Sequence, residues 1–172
     1  MKIRHGLLLL CFLFSLTEMH AQIVSVRMKI IGLTCSACSF GTERSIRQLK
    51  FVDSVKMDLN THATEITFKK GEPVSIDKLV QKVYDAGFSV SEVRATWHFT
   101  NEYVSDKSWT SDGKTFCVLN ETVPELKGDK EMTFVAEKYM SKKDYSPYKP
   151  LITTWRALPG FGDKRSVYFV VF

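Results

Sequence analysis

Two cysteines, Cys35 and Cys38, lie two residues apart in the segment GLTCSAC, just before a stretch with helical character. A thiol in the first turn of a helix lies beside backbone N–H groups that have no partner within the helix. The positive end of the helix lowers the pKa of such a thiol and favours the thiolate, which is the metal ligand and the nucleophile. The pair therefore has four possible uses: a metal site, a redox pair, a structural disulfide or packing in the core.

The types of metal that this pair could bind are limited by the number of ligands. Two thiolates on a short loop suit a soft ion such as Cu(I) or Hg(II). Structural zinc takes four ligands, and the loop contains no histidine, aspartate or glutamate. Iron–sulfur clusters usually take four cysteines, and only Cys35, Cys38 and Cys117 follow the first 21 residues. The residues alone leave a thiol–disulfide redox function, a disulfide and simple burial as alternatives to metal binding.

The elements around the cysteines are predicted to follow the order strand, helix, strand, strand, helix, strand over residues 23–94. The first strand alternates apolar and polar residues, and the second helix has apolar residues at i, i+3, i+4 and i+7, after a capping Ser75 and before Gly87. This βαββαβ order is the ferredoxin-like arrangement, in which a four-stranded antiparallel sheet carries both helices on one face. We therefore expect an N-terminal domain at residues 22–95.

The second half of the chain has a different pattern of residue types. Short β-branched and aromatic runs, separated by turn-rich pieces, predict five strands within residues 96–104, 115–119, 132–139, 151–155 and 166–172. Because no long helical period occurs, we expect a small, mostly β domain at residues 96–172, and an OB-like barrel is the suggested topology. The expected fold class of the whole chain is α+β.

The first 21 residues are typical of a secretory signal peptide. Lys2 and Arg4 precede an apolar run at residues 6–16, and Ala21 stands at a plausible cleavage point. The run of about 11 residues is too short to cross a bilayer, which takes about 20. We therefore expect an exported protein that is not integral to the membrane, periplasmic in a Gram-negative bacterium and otherwise secreted.

Charge and composition do not favour nucleic acid as a partner. The chain has 172 residues, of which 44% are hydrophobic and 25% charged, and its net charge of +5 is spread without a basic block. Removal of residues 1–21 takes away two positive charges and one negative charge and leaves +4.

The three remaining cysteines cannot all pair within the chain. No nucleophile–base motif is present, so we expect no enzymatic activity.

Residues 23–94 resemble the heavy-metal-associated domain family, which occurs in copper chaperones, in copper-transporting P-type ATPases and in the periplasmic mercury-binding protein. The family pattern is a strand, Gly-Met-Thr-Cys-x-x-Cys, a helix and a late Ala-Gly-Tyr or Ala-Gly-Phe, and residues 32–38 and 86–88 stand in those places. Leu33 replaces the usual Met and is expected to pack beneath the loop in its place. Thr42 replaces an aliphatic residue and is expected to loosen the core. Neither change removes a ligand.

The resemblance implies that Cys35 and Cys38 bind one Cu(I) ion and exchange it with a metal donor or acceptor protein such as a transporter. An incoming cysteine of the partner would give a three-coordinate intermediate, so that no free metal is released. Hg(II) is the alternative cargo. A thiol–disulfide redox protein and an interaction module without a working metal site are the alternatives of another class. Additional ligands from Cys117, His98 or the methionines are a weaker hypothesis, because Cys117 is expected to be a buried core residue.

Overall fold

The computed structural model describes residues 22–100, 104, 106–123, 125–158 and 167–172, so the predicted signal peptide lies outside the described residues. Within these ranges the chain forms eight strands, four α-helices and one 3-10 turn. In chain order these are β1 (Gln22–Ile31), α1 (Ser36–Arg47), β2 (Val52–Asp58), β3 (Ala63–Phe68), α2 (Ile76–Asp85), β4 (Ser89–Phe99), β5 (Ser108–Ser111), β6 (Lys114–Val118), β7 (Gly128–Phe134), α3 (Lys142–Tyr145), the 3-10 turn (Ser146–Tyr148), α4 (Lys149–Ala157) and β8 (Val167–Val171).

The N-terminal elements form the predicted ferredoxin-like unit. Strand β1 lies between β3 and β4, is antiparallel to both, and β2 pairs with β3 at the edge. The alternating residues Val26, Met28 and Ile30 of β1 are buried in one core with Ile46 of α1 and Leu79 of α2. The alternation seen in the sequence therefore places one face of the sheet against both helices, which confirms the predicted βαββαβ arrangement.

Helix α2 begins and ends at the predicted residues. The Ser75 hydroxyl oxygen accepts a hydrogen bond from the backbone N–H of Lys78 at 3.3 Å, which is the expected N-cap. Beyond its last turn, Gly87 has a φ of 87°, which favours glycine, and the N–H of Phe88 donates to the carbonyl of Val83 at 3.1 Å. These two caps fix the length of α2 and the position of the loop that follows it.

The second half extends the same sheet. Strand β4 runs through the predicted domain boundary at residues 95 and 96 and pairs with β7, and the sheet continues in the order β7, β8, β6, β5. Strand β8 is antiparallel to β7 and parallel to β6. The suggested OB-like barrel is not confirmed, because the strands add to the edge of the N-terminal sheet. The described residues from Ser108 onward are called the extension, and aromatic side chains among them share one core with the N-terminal unit.

The strand predicted at residues 151–155 is wrong, because these residues lie in helix α4. The β-branched residues favoured a strand, but Pro150 is well suited to a first helical turn and Ile152 is buried against the sheet. The hydroxyl groups of Thr153 and Thr154 donate to backbone carbonyls one turn earlier. Tertiary packing thus outweighs local propensity here.

Within the part of the chain described, no helix is long and apolar enough to span a bilayer.

Asp77, in the first turn of α2, joins the N-terminal unit to the extension. Its carboxylate lies 2.7 Å from the Lys138 ammonium group and accepts hydrogen bonds from the hydroxyls of Tyr139 and Tyr168, the latter at 3.1 Å. Burial raises the pKa of Asp77, but the three donors together outweigh it, so that this pKa lies below its ordinary value. The hydroxyl of Tyr84, two turns further along α2, donates to the Lys138 carbonyl at 3.2 Å.

We expect Asp77→Asn to remove a contribution to stability that depends on pH. A carboxylate whose pKa is lowered by folding stabilises the protein above its unfolded value of 3.8 and loses this contribution as the pH falls through the folded value. At pH 7 the free energy of unfolding of the variant should therefore be about 1 kcal/mol lower than that of wild type. In urea titrations at pH 7 and pH 3, the difference should shrink at pH 3.

Asp53→Asn is the matched control, because Asp53 is an exposed carboxylate on β2. This control should stay close to wild type at both pH values. An Asp77→Asn difference that is equal at pH 7 and pH 3 would contradict the role of the charged carboxylate.

Candidate metal centre

The two cysteines lie where the loop after β1 enters helix α1. Cys35 is the N-cap residue with extended backbone, and its sulfur accepts a hydrogen bond from the backbone N–H of Cys38 at 3.1 Å. Cys35 is exposed, whereas Cys38 is half-buried against the core. The sequence placed Cys35 in the loop and Cys38 in the first helical turn, and this is where they lie. Both sulfurs are therefore next to the N–H groups that begin the helix.

A disulfide joins Cys35 and Cys38, whose Cα atoms are 5.4 Å apart. The structure thus brings together the two residues proposed as metal ligands. In this oxidised form neither sulfur is a thiolate, so a metal ion can bind only after a two-electron reduction of the bond to two thiols. The arrangement is compatible both with metal binding in the reduced state and with thiol–disulfide chemistry.

The loop that carries Cys35 is fixed by its first two residues. Gly32 has a φ of 96°, and a Cβ atom at this position would lie 3.3 Å from the ring of Phe88. Leu33 is only 3% exposed and packs in the core beneath the loop, which is the role expected of the residue that replaces Met. The loop therefore rests on Phe88, the aromatic residue that follows helix α2.

Two hydroxyl groups bind the backbone carbonyls of the cysteines. The Ser39 hydroxyl donates to the carbonyl of Cys35 at 3.1 Å, and the Thr42 hydroxyl donates to the carbonyl of Cys38 at 3.0 Å. Both side chains are buried. Because its hydroxyl has a partner, Thr42 fits a position where an aliphatic residue is usual. The sequence reasoning missed this pair, although a serine or threonine four residues after each cysteine is a recognisable signal.

The other residues considered as ligands have different surroundings. Cys117 is fully buried in a second core cluster with Met140, and burial raises the pKa of its thiol to about 12. Met132 is buried in the main core, and Nδ1 of His98 lies 2.6 Å from a carboxylate oxygen of Asp129. Over the described ranges, no group of three or more histidine, cysteine, aspartate or glutamate side chains is placed to hold a metal ion.

A βαββαβ unit that presents two cysteines at the start of its first helix is the arrangement expected from the resemblance to heavy-metal-associated domains. The heavy-metal-associated domain model matches residues 27–89. The periplasmic component of the mercuric transport protein of Pseudomonas aeruginosa is 30% identical over 67 residues, which make up 39% of this chain and 72% of that protein. The chain therefore belongs to the heavy-metal-associated domain family, through its residues 27–89.

Other relatives match the same part of the chain. A copper-transporting ATPase of Helicobacter pylori is 32% identical over 66 residues, which make up 38% of this chain and only 9% of the ATPase. The yeast copper transporter domain Ccc2a has a solved structure that is 28% identical, with a TM-score of 0.36, and the match covers 39% of this chain and 90% of that domain. The strands from β5 onward lie outside the family match.

We expect Gly32→Ala to destabilise the protein by more than about 1 kcal/mol. An alanine is strained at a φ of 96°, and its Cβ would also press on the ring of Phe88. Two other glycine-to-alanine variants, compared in chemical unfolding experiments, distinguish the backbone strain from the contact with Phe88. Gly71→Ala has a similar strain at a φ of 80° but no heavy atom within 4 Å, and Gly41→Ala lies inside helix α1 with open space around it.

The expected order of destabilisation is Gly32→Ala, then Gly71→Ala, while Gly41→Ala should stabilise the helix by about 0.5–1 kcal/mol. A cost of Gly32→Ala no larger than that of Gly71→Ala would contradict the close approach of the Phe88 ring to Gly32.

Proposed function

We propose that the reduced protein binds one Cu(I) ion between the sulfurs of Cys35 and Cys38 and exchanges it with a partner protein. The observation that carries this proposal is the position of both sulfurs at the start of helix α1. Two thiolates match the preference of Cu(I) for few, soft ligands. The copper ion is the cargo of the protein in this account.

The helix start supplies electrostatic support for the reduced site. The N–H groups of the first turn and the positive end of the helix favour thiolates over thiols at both positions. The backbone N–H of Cys38 already points to the sulfur of Cys35. Thiolate character is what a soft ion requires, since the thiolate is the metal ligand.

The exposure of the site favours transfer of the ion. Cys35 is exposed at the surface, so the thiolate of a partner can approach an ion held there and form the three-coordinate intermediate. Two apolar side chains next to the site, Phe40 and Ile31, are 67% and 55% exposed and offer contact area to such a partner. The ATPase relative supports a metal transporter as the partner.

The choice of cargo is between Cu(I) and Hg(II). The relatives include both a copper-transporting ATPase and a mercuric transport protein, and the two ions favour the same ligands. We propose Cu(I) as the cargo because it is the more common ion in the family. The periplasmic relative and the predicted signal peptide together support export of the protein.

A thiol–disulfide redox function is the second candidate, and the disulfide between Cys35 and Cys38 favours it. In that case one thiolate would attack the disulfide of a substrate and the other would resolve the mixed disulfide, so that the substrate is reduced and the pair is oxidised. This pair begins the first helix of a ferredoxin-like unit, whereas the thioredoxin type of motif belongs to a different fold. We therefore place metal exchange first.

In titrations against a chromophoric Cu(I) chelator, the reduced protein should bind one Cu(I) per chain. Cys35→Ser and Cys38→Ser should each lower the affinity more than about 100-fold, because loss of a ligand costs more than loss of an outer contact. Cys117→Ala is the matched control and should bind like wild type, since Cys117 lies in a separate cluster. Parallel titrations with Hg(II) compare the two cargoes.

The oxidised protein should bind neither ion. A reduced protein that retains neither ion against the chelator, but reduces disulfide substrates catalytically, would overturn the metal proposal in favour of the redox function.

A further inference from the structure

A cleft of about 840 Å³ lies between the N-terminal unit and the hairpin of strands β5 and β6. One wall is the loop between β3 and α2, and the other is the turn of the hairpin. The Lys114 ammonium group donates to the carbonyl of Val74 at 2.9 Å and joins the two walls. The volume falls within the range of small-molecule sites, which is about 300–1,000 Å³.

The cleft is far from the two cysteines. Val24, near the start of β1, lines the cleft, whereas Cys35 follows the end of that strand. At about 3.3 Å per residue, strand β1 separates the two places by more than about 20 Å. One wall of the cleft comes from the extension, beyond the residues matched by the family. The cleft is thus a feature of this chain and separate from the metal centre.

Aromatic side chains contribute to the inner wall of the cleft. Phe68, Trp97 and Phe116 line it, and the rings of Trp97 and Phe116 meet edge to face with centroids 4.7 Å apart. Trp97 is only 2% exposed, and its indole N–H is buried without a hydrogen-bond partner among the described residues. Because the Trp97 ring lines the cleft, its indole N–H signal reports a ligand bound there.

The charged residues of the cleft leave an excess of one positive charge. Lys69, Lys70 and Lys114 line it together with Glu72 and Asp112. Lys69 and Lys70 are exposed, and neither forms a salt bridge within the described part of the chain. An apolar interior with a cationic rim fits a ligand that combines an apolar body with a single negative charge.

We propose that this cleft binds a small amphipathic monoanion of the medium-chain carboxylate class. Its apolar body packs against the apolar side chains that line the cleft, and its carboxylate meets Lys69 and Lys70 at the rim. Burial of the chain supplies most of the affinity, and the lysines select the anion over a neutral molecule of the same length.

The test compares octanoate with octanol in NMR titrations of the reduced full chain. Octanoate should bind saturably and shift the indole N–H signal of Trp97, while the signal of Trp155, on helix α4, should stay in place. Octanol, which has the same chain length, should bind at least tenfold more weakly. The charge-reversed double variant K69E/K70E should weaken octanoate binding at least tenfold.

Two controls accompany this titration. K142E/K143E changes the same charge at exposed residues of α3 and should bind octanoate like wild type. The Cys35→Ser/Cys38→Ser variant should also bind it normally, because the two sites are separate. Equal binding of octanol and octanoate, no effect of K69E/K70E, or no saturable shift of the Trp97 signal would each overturn the proposal.

Discussion

Cys35 is the N-cap residue of helix α1, and this helix boundary determines the position of both sulfur atoms. The sulfur of Cys35 occupies the N-cap position and accepts from the backbone N–H of Cys38, so that the first turn holds the two side chains together. The carbonyls of the same two residues accept from the hydroxyls of Ser39 and Thr42. Backbone groups of both cysteines therefore have hydrogen-bond partners within the helix, while Cys35 stays exposed at the surface.

The extension holds the N-terminal unit from the side of helix α2. Strand β4 carries the sheet across into β7, and Asp77 binds Lys138, Tyr139 and Tyr168. Helix α2 ends in the loop with Phe88, whose ring lies against Gly32. A continuous set of contacts thus joins the extension to the loop before the cysteines. The exposed side of helix α1, with Phe40, remains the surface open to a partner.

The parts of the fold that depend on local signals were predictable from the sequence. The alternation in β1, the Ser75 cap and Gly87 all act over a few residues, and together they indicated the ferredoxin-like unit. The continuation of the sheet through β4 depends on pairing with β7, whose residues lie about 30 to 40 positions later in the chain, and no local pattern reports such a partner. Residues 151–155 show the same limit, because burial of Ile152 on the sheet decides for a helix against the β propensity of the threonines.

Both cysteine sulfurs are proposed to hold the same metal ion. X-ray absorption at the copper edge, on reduced protein loaded with one Cu(I) per chain, reports the atoms bound to the metal. We expect two sulfur ligands in wild type and the loss of one of them in Cys38→Ser. Ligation by nitrogen or oxygen atoms in wild type, or an unchanged spectrum in Cys38→Ser, would contradict this proposal.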